Sequence, residues 1–416
     1  MVVRPVDFFP FIESGHPFYP FLRRFEAPLN EEGLFDLLQK KRERGEKVVV
    51  HAEIKGKRRL DGGWTLDRFY WSLQSWDQTG TIDFRARMLH YAAKTDRMEF
   101  CDFPMDPYLN SLSSLFGGMD RSAHRVDILR YVPLRRLTFR LVPLSGNGSS
   151  AIGKFKRRSR LREAYDRLAA VYLAVARSSA PFSVAAPRGI DEDRSLFFQK
   201  EVPGRDLASQ LDSGNFRESL EGLGGLHRDL HRLRAVEVPV WDLNAFIQQL
   251  RDDIDWIAFF QSALELFLRE TLALLLRNVP KVDPAAYTFC HGDFVCSQVL
   301  REGDRWSLID FDLCKKGDPY LELAMLTASL KYDVPLFEER IIGANGGKAD
   351  LLEDGVAAYL DGYQKRAGET LCRQRLIWCR VCAEIYYLAL MFKKNRFHPA
   401  MLRYAVEQLH ALRQQI

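Results

Sequence analysis

The rhythm of apolar and polar positions changes along the chain, and the change divides it. To about Gly118, short β-like runs alternate with turns: Lys47 to Ile54, Arg68 to Leu73 and Thr81 to Met88. Such runs predict strands, and Asp61-Gly62-Gly63 predicts a hairpin. A passage marked by Phe103-Pro104, Pro107 and Gly117-Gly118 predicts solvated turns that close a small sheet-bearing domain. From Asp127 three more strands are predicted, Asp127 to Val132, Leu137 to Val142 and Ala151 to Phe155. Leu161, Tyr165, Leu168, Tyr172 and Val175 then recur at helical spacing on one face. A strand from Ser195 to Val202 ends at Pro203-Gly204. Beyond Arg205 the pattern is helical through Leu220 to Leu233, Asn244 to Val279 and Leu351 to His410. Tyr287 to Asp318 interrupts it with two short strands, Gln298 to Leu300 and Trp306 to Ile309, set among polar turns. The expected division is an N-terminal α+β domain over 1–120, a β-rich lobe over 121–204 and a helical lobe over 205–416.

Composition narrows the setting. A chain of 416 residues, 47% hydrophobic and 28% charged, supports two or three packed units and excludes a disordered chain. Lys+Arg 60 against Asp+Glu 55 leaves +5, which gives no support to a dedicated nucleic-acid or membrane-surface protein. No apolar run approaches the ~18 to 20 residues of a membrane span, and Arg4, Asp7, Glu13 and several prolines interrupt the opening stretch, unlike a secretory signal. A soluble cytoplasmic protein is expected. The 7 cysteines lack the dense spacing of a disulfide framework, so reduced thiols are expected. Cys379 and Cys382 form one CxxC without a second, inside a helical pattern, where burial of small thiols outweighs a metal or redox role.

The chemistry concentrates where the helical pattern breaks. The chain there runs His291-Gly292-Asp293-Phe294-Val295-Cys296-Ser297-Gln298, then Leu308-Ile309-Asp310-Phe311-Asp312, then Gly317-Asp318-Pro319. In kinase chemistry a loop Asp takes the hydroxyl proton, an amide five residues on holds metal, and a later Asp bridges metal to phosphates. Asp293, Gln298 and Asp310 stand in that order and at matching spacing.

With HGD-x4-Q, LIDFD and GDP in register, the sequence resembles the aminoglycoside phosphotransferase and choline kinase family of small-molecule kinases, over about residues 120 to 400. The family's loop is usually HGD-x4-N; Gln298 is one methylene longer with the same amide oxygen, as in maltokinase-like sugar-kinase relatives. Glu322 stands where the family's GDP-x-x-Asp-Leu-Ala stretch usually has Asp, a position more structural than catalytic. The resemblance implies a two-lobed protein-kinase-like fold, α+β, behind the N-terminal domain. It implies ATP and Mg as cofactors and a small-molecule hydroxyl acceptor: a sugar, an amino-sugar or aminoglycoside, or an amino alcohol. It implies Asp293 as catalytic base and Gln298 and Asp310 as metal ligands, with His291 and Asp318 ordering loops and Asp312 unassigned.

Such a kinase also needs a Lys for the α/β-phosphates and a Glu to steady it. Lys154 matches the family's GK position, with Lys156 on the same strand face as the alternative, and Glu163 lies in the first turns of the next helix. The bland alternative is a pair of solvated lysines on an edge strand. Arg135 and Arg136 occupy the turn where kinases cover the phosphates, without a Gly-rich cradle; their guanidinium groups suit phosphate oxygens, the alternative being a solvated basic turn. Gln199 to Val202, including Lys200 and Val202, should be the adenine-reading hinge, by backbone.

Three spellings mislead. The turn at 145–150 is glycine-rich but lies in the wrong connection and is not followed by GK[ST]. His227-Arg228-Asp229-Leu230 spells a protein-kinase catalytic loop inside a helical pattern, and His227 with His231 lacks the Glu and third ligand of a zinc helix. Asp310-Phe311-Asp312 lacks the sheet context of a phosphatase nucleophile. The competing class is a catalytically inactive ATP-binding pseudokinase, motivated by Gln298 and the Gly-poor turn. For the acceptor, Asp252, Asp253, Asp255 and Glu384 are candidate carboxylates for an amino group.

Overall fold

The computed structural model describes residues 9–31, 43, 47–59, 63–76, 84–92, 95–109, 111–118, 123–145, 148–234, 236–332 and 349–416. The chain divides into two compact units, one of Met1–Tyr165, Pro187–Glu201 and Phe392–Phe397, the other of Asp166–Ala186, Val202–Met391 and His398–Ile416.

The first unit carries two antiparallel sheets. Strands β1 (Lys47–Arg58), β2 (Trp64–Trp76), β3 (Arg85–Ala92) and β4 (Arg97–Asp102) form an up-and-down sheet in chain order, with helix α1 (Tyr19–Glu31) before it. The tip of the expected hairpin, at 60–62, and the start of the strand expected from Thr81, at 81–83, lie outside the described residues. Phe9 and Phe25 pack on Phe69 of β2, and Phe11 meets Phe392 and Phe397 from the far end of the chain.

The passage expected to be solvated turns does turn at 103–104 and 107–108, with Met105 and Tyr108 exposed, but its second half is packed. It includes helix α2 (Ser111–Gly118), where Ser114 Oγ donates to the carbonyl of Ser111 and Leu112 is fully buried. Leu109 and Leu112 share one core with Ile128, Leu137, Phe139 and Phe155. The boundary expected near residue 120 therefore falls inside this unit, with apolar packing on both sides of it.

The second sheet has the order β5 (His124–Val132), β6 (Arg136–Pro143), β7 (Ala151–Lys156), β10 (Leu196–Lys200), β9 (Pro187–Asp191). β5, β6, β7 and β10 sit where the apolar pattern placed them; β9 was not foreseen. Helix α3 (Arg158–Ala176) follows β7 as its spacing predicted.

The second unit is mainly helical. Its short strands are β8 (Phe182–Val184), β11 (Arg205–Asp206), β12 (Thr288–Cys290), β13 (Val299–Glu302), β14 (Arg305–Leu308) and β15 (Lys315–Gly317). They form a β11-β13-β14-β8 sheet and a β12-β15 pair. After the single turn α4 (Leu207–Gln210), the helices are α5 (Phe216–His231), α6 (Leu243–Phe260), α7 (Glu265–Arg277), α8 (Pro319–Tyr332), α9 (Ala349–Ala367), α10 (Arg373–Lys393) and α11 (Pro399–Arg413).

Helices α5 and α9 meet backbone to backbone. A Cβ on Gly224 would lie 2.0 Å from the Tyr359 carbonyl, and one on Gly362 would lie 2.0 Å from the Glu221 carbonyl, so glycine is required at both. α8 is buried on every side from Leu321 to Tyr332, the signature of a central helix. Cys379 and Cys382 lie inside α10, and burial pushes both thiols well above their ordinary range, as expected of packing cysteines.

Candidate active site

Two antiparallel pairings bring the second unit's polar loops together. β12 pairs with β15, and β13 pairs with β14 in a register that sets Val299 opposite Leu308. The 291–298 loop and the 309–314 loop thus leave adjacent strands side by side. The amide of Ile309 donates to the carbonyl of Gln298 at 3.1 Å, and Gln298 Nε2 reaches Asp310 Oδ2 at 3.4 Å. Gln298 is buried and Asp310 half-buried, with Asp310 held in the left-handed region at φ 69. An oxygen-rich pair of this kind, one carboxylate and one amide that can turn its oxygen over, matches the donor preference of a hard divalent cation.

The loop bearing Asp293 is shaped from beneath. His291 is fully buried and donates from Nε2 to the Ile309 carbonyl at 2.9 Å, tying the two loops. Gly292 has φ +83, and a Cβ there would lie 2.0 Å from the Leu313 carbonyl, so only glycine lets the loops approach. Asp293 itself is half-buried at the loop's head. Tyr386 of α10 senses both Asp293 and Asp253, whose charges add to burial in pushing its hydroxyl up to about 12.

Glu322 anchors this arrangement, a structural role in keeping with the sequence reading of its position, through partners the sequence did not reveal. Its carboxylate accepts from the backbone amides of both His291 and Gly292, and from Nε2 of His227 and His231 at 3.0 Å each. The other ring nitrogens of His227 and His231 engage the hydroxyls of Tyr359 and Tyr363. Burial alone would raise the Glu322 pKa, yet the two histidines hold it well below the carboxylate range. His227, stacked on Phe294 at 3.8 Å, is kept neutral by burial, its pKa lowered to about 3. The histidine pair does have a third potential ligand, since its nitrogens and a Glu322 oxygen lie within 4.8 Å of one another. Every one of those atoms already has a hydrogen-bond partner, so the cluster is complete as a buried polar network.

Other expected residues fall as follows. Asp318 is buried, caps α8 through the Tyr320 amide at 2.9 Å, and pairs with Arg375 at 2.6 Å. The backbone carbonyl of Asp312 is held by Arg167 of α3. Among the candidate acceptor carboxylates, Asp253 is fully buried and accepts from Gln249 at 2.8 Å, and Asp255 pairs with Arg269 at 2.9 Å. Asp252 is exposed and accepts from Gln248 at 3.1 Å. Glu384 is buried and paired with Lys331 at 2.7 Å, so its charge is already answered within the protein.

In the first unit, Lys154 and Lys156 are both buried, on β7, the middle strand of the five-stranded sheet. The edge-strand alternative is thereby removed. Lys154 Nζ lies 6.0 Å from the Phe197 ring centre. Glu163 lies in the second turn of α3, half-buried, with Arg160 at 3.2 Å. Arg135, at the β5–β6 turn, reaches Glu53 of β1 at 3.0 Å, and Arg136 opens β6 opposite Val132. Lys200 ends β10 with an exposed side chain, and the chain passes to the second unit between Glu201 and Val202, where the hinge was expected. The glycine-rich turn connects β6 to β7, and its 146–147 portion lies outside the described residues.

A profile of the phosphotransferase enzyme family, APH, matches residues 136–368, more than half of the chain. The chain belongs to this family and is an enzyme that transfers phosphate. Comparison with curated proteins returns no match. Among solved structures it is similar to a thermostable mutant of the aminoglycoside phosphotransferase APH(4)-Ia, at 15% identity over 74% of this chain and 98% of that one, TM-score 0.49. It is also similar to a choline kinase from Cryptosporidium parvum, at 10% identity over 72% and 93%, TM-score 0.48. A third is an amicoumacin kinase in complex with AMP-PNP, Ca2+ and Ami, at 14% identity over 71% and 88%, TM-score 0.46. No helix among the described residues is long and apolar enough to cross a membrane.

Proposed function

We propose that this phosphotransferase is an ATP- and Mg2+-dependent kinase that phosphorylates a hydroxyl of a small molecule: a sugar, an amino-sugar or aminoglycoside, or an amino alcohol. The observation that carries the reading is the contact between Gln298 and Asp310 beside the Asp293 loop. Asp293 accepts the acceptor's hydroxyl proton as the new O–Pγ bond forms and the bond from Pγ to the bridging oxygen breaks, leaving ADP. Gln298 and Asp310 would hold the metal, which supplies charge neutralisation when bound. Lys154, steadied by Glu163, orients the phosphates, with Arg135 and Arg136 contributing donors from the β5–β6 turn. Lys200 and Val202 flank the backbone that reads adenine. A cytoplasmic setting belongs to the same proposal, supported by the free cysteines.

The test is a thermal-shift screen of sugars, aminoglycosides and amino alcohols with Mg2+ and AMP-PNP, followed by turnover assays on the stabilising acceptors. Asp293→Ala and Asp310→Ala, shown folded, should each lower kcat by about 10² to 10⁴-fold. Wild-type turnover in either variant overturns the assignment. Mg·ATP binding with no turnover on any acceptor would return the chain to the pseudokinase reading.

A further inference from the structure

Several cations of the first unit converge on one carboxylate. Glu53 of β1 keeps only 12% of its side-chain surface, and its Oε2 receives Arg135 at 3.0 Å, the Tyr70 hydroxyl at 3.3 Å and Lys394 at 3.8 Å. Arg68, on β2 as Tyr70 is, adds its charge to the same carboxylate, and its Nε is buried without a hydrogen-bond partner among the described residues. Arg396 lies two residues beyond Lys394, is exposed, and acts on it electrostatically. Lys394 and Arg396 come from the Phe392–Phe397 segment, which belongs to this unit although the chain on either side of it does not.

We infer that Arg68, Arg135, Lys394 and Arg396 form a binding site for a phosphate-class oxyanion, with Glu53 holding the cations in position when the site is empty. One carboxylate cannot neutralise four like charges, and gathering them costs stability unless an anion joins them. A multiply charged oxyanion is the fitting ligand. Guanidinium groups present planar forks of donors, the ammonium adds a point charge, and the buried Arg68 Nε gains the acceptor it lacks. The rim is open, since Arg135 keeps 43% and Lys394 34% of its side-chain surface. The site shares Arg135 with the proposed phosphate turn, but it stands on the charge cluster and needs no catalytic step.

The site also has a pH signature. Burial first, and then the charges of Arg135, Arg136 and Arg396, lower the Lys394 pKa to about 8, while Glu53 opposes them. The other charged or titratable neighbours among the described residues include Arg130, Arg68, the Tyr70 hydroxyl, Arg157 with Asp106 beside it, and His51, whose ring burial keeps neutral with a pKa near 4. Anion binding therefore weakens as pH rises through 8.

Calorimetric titration of the full-length protein with inorganic tripolyphosphate, with and without saturating AMP-PNP, tests the inference. The expected result is binding by wild type that weakens at least tenfold in Arg396→Met, an exposed position whose change leaves folding intact, and in Lys394→Met. Lys394→Arg should retain binding and abolish its decline between pH 7 and pH 9. Competition by AMP-PNP would identify nucleotide phosphates as the anion; additive binding would identify a separate phosphorylated ligand. Absence of tripolyphosphate binding, or equal affinity in wild type and both Met variants, overturns the site without bearing on phosphoryl transfer.

Discussion

A single carboxylate decides the shape of the Asp293 loop. Glu322 gathers two backbone amides of that loop and two histidines, so its charge is stabilised by four N–H groups in a dry site. Glu322→Gln would set an amide NH2 against these donors. The expected outcome is a 10- to 100-fold loss of kcat with little change in nucleotide KM, and a loss of about 3 kcal/mol in urea unfolding. Glu322→Asp, the residue the family's pattern carries here, should recover part of kcat; a KM effect without a kcat effect would reject the positioning role. The meeting of Gln298 with Asp310 was legible because the two are close in sequence, 12 residues apart. The meeting of Glu322 with its histidines was not, because they lie 95 and 91 residues upstream and look, in sequence, like an ordinary helix face.

Among the elements, the β5–β6 turn is fixed by the first sheet and by the passage that follows it. Leu134 sits there at φ 62, a conformation costly for a branched side chain. Its amide donates to Asp106 Oδ2 at 2.8 Å, its carbonyl accepts from Arg157 at 2.9 Å, and its side chain packs with Tyr70 and Met88. Asp106 also accepts from the Tyr131 hydroxyl and from the amides of Tyr108 and Leu109. A turn without a glycine cradle is thus fixed from outside. Asp106→Ala should destabilise the first unit by about 3 kcal/mol in denaturant unfolding and raise the KM for ATP about tenfold or more, with kcat less affected. An unchanged KM in a destabilised protein would separate this turn from nucleotide binding. Strands and helices with a clear period, such as β5 to β7 and α3, were legible. β8, β12 and β15 have three residues each, too few to show a period, and α8 is buried nearly all round, polar residues included, and shows no stripe. The 103–108 turns were legible from their prolines; the helix after them was not, because serines and glycines favour solvated turns in isolation, whereas burial of Leu109 and Leu112 outweighs that preference here.

At the scale of the whole molecule, a near-neutral sum of +5 conceals charges sorted into buried networks, and two of these make the fold sensitive to acid. Burial lowers the pKa of His51, in the first unit, from 6.5 to about 4 and that of His227, in the second, from 6.5 to about 3. The sign follows from proton counting. Below pH 6.5 the unfolded chain binds protons that the folded chain refuses, so stability is full above 6.5 and declines as pH falls toward 4 and 3. At pH 5 each histidine removes up to about 2 kcal/mol relative to pH 7.5. Urea unfolding between these two pH values should show a loss of up to about 4 kcal/mol in wild type from this pair, and a smaller loss in His51→Gln and in His227→Gln. If unfolding resolves into two transitions, His51→Gln should flatten the pH response of one and His227→Gln that of the other, since the residues belong to different units. Equal pH slopes in wild type and both variants would mean that the two rings take up protons in the folded state. The Glu322 network would then have to tolerate a positive charge on the fully buried His227 ring, which burial disfavours.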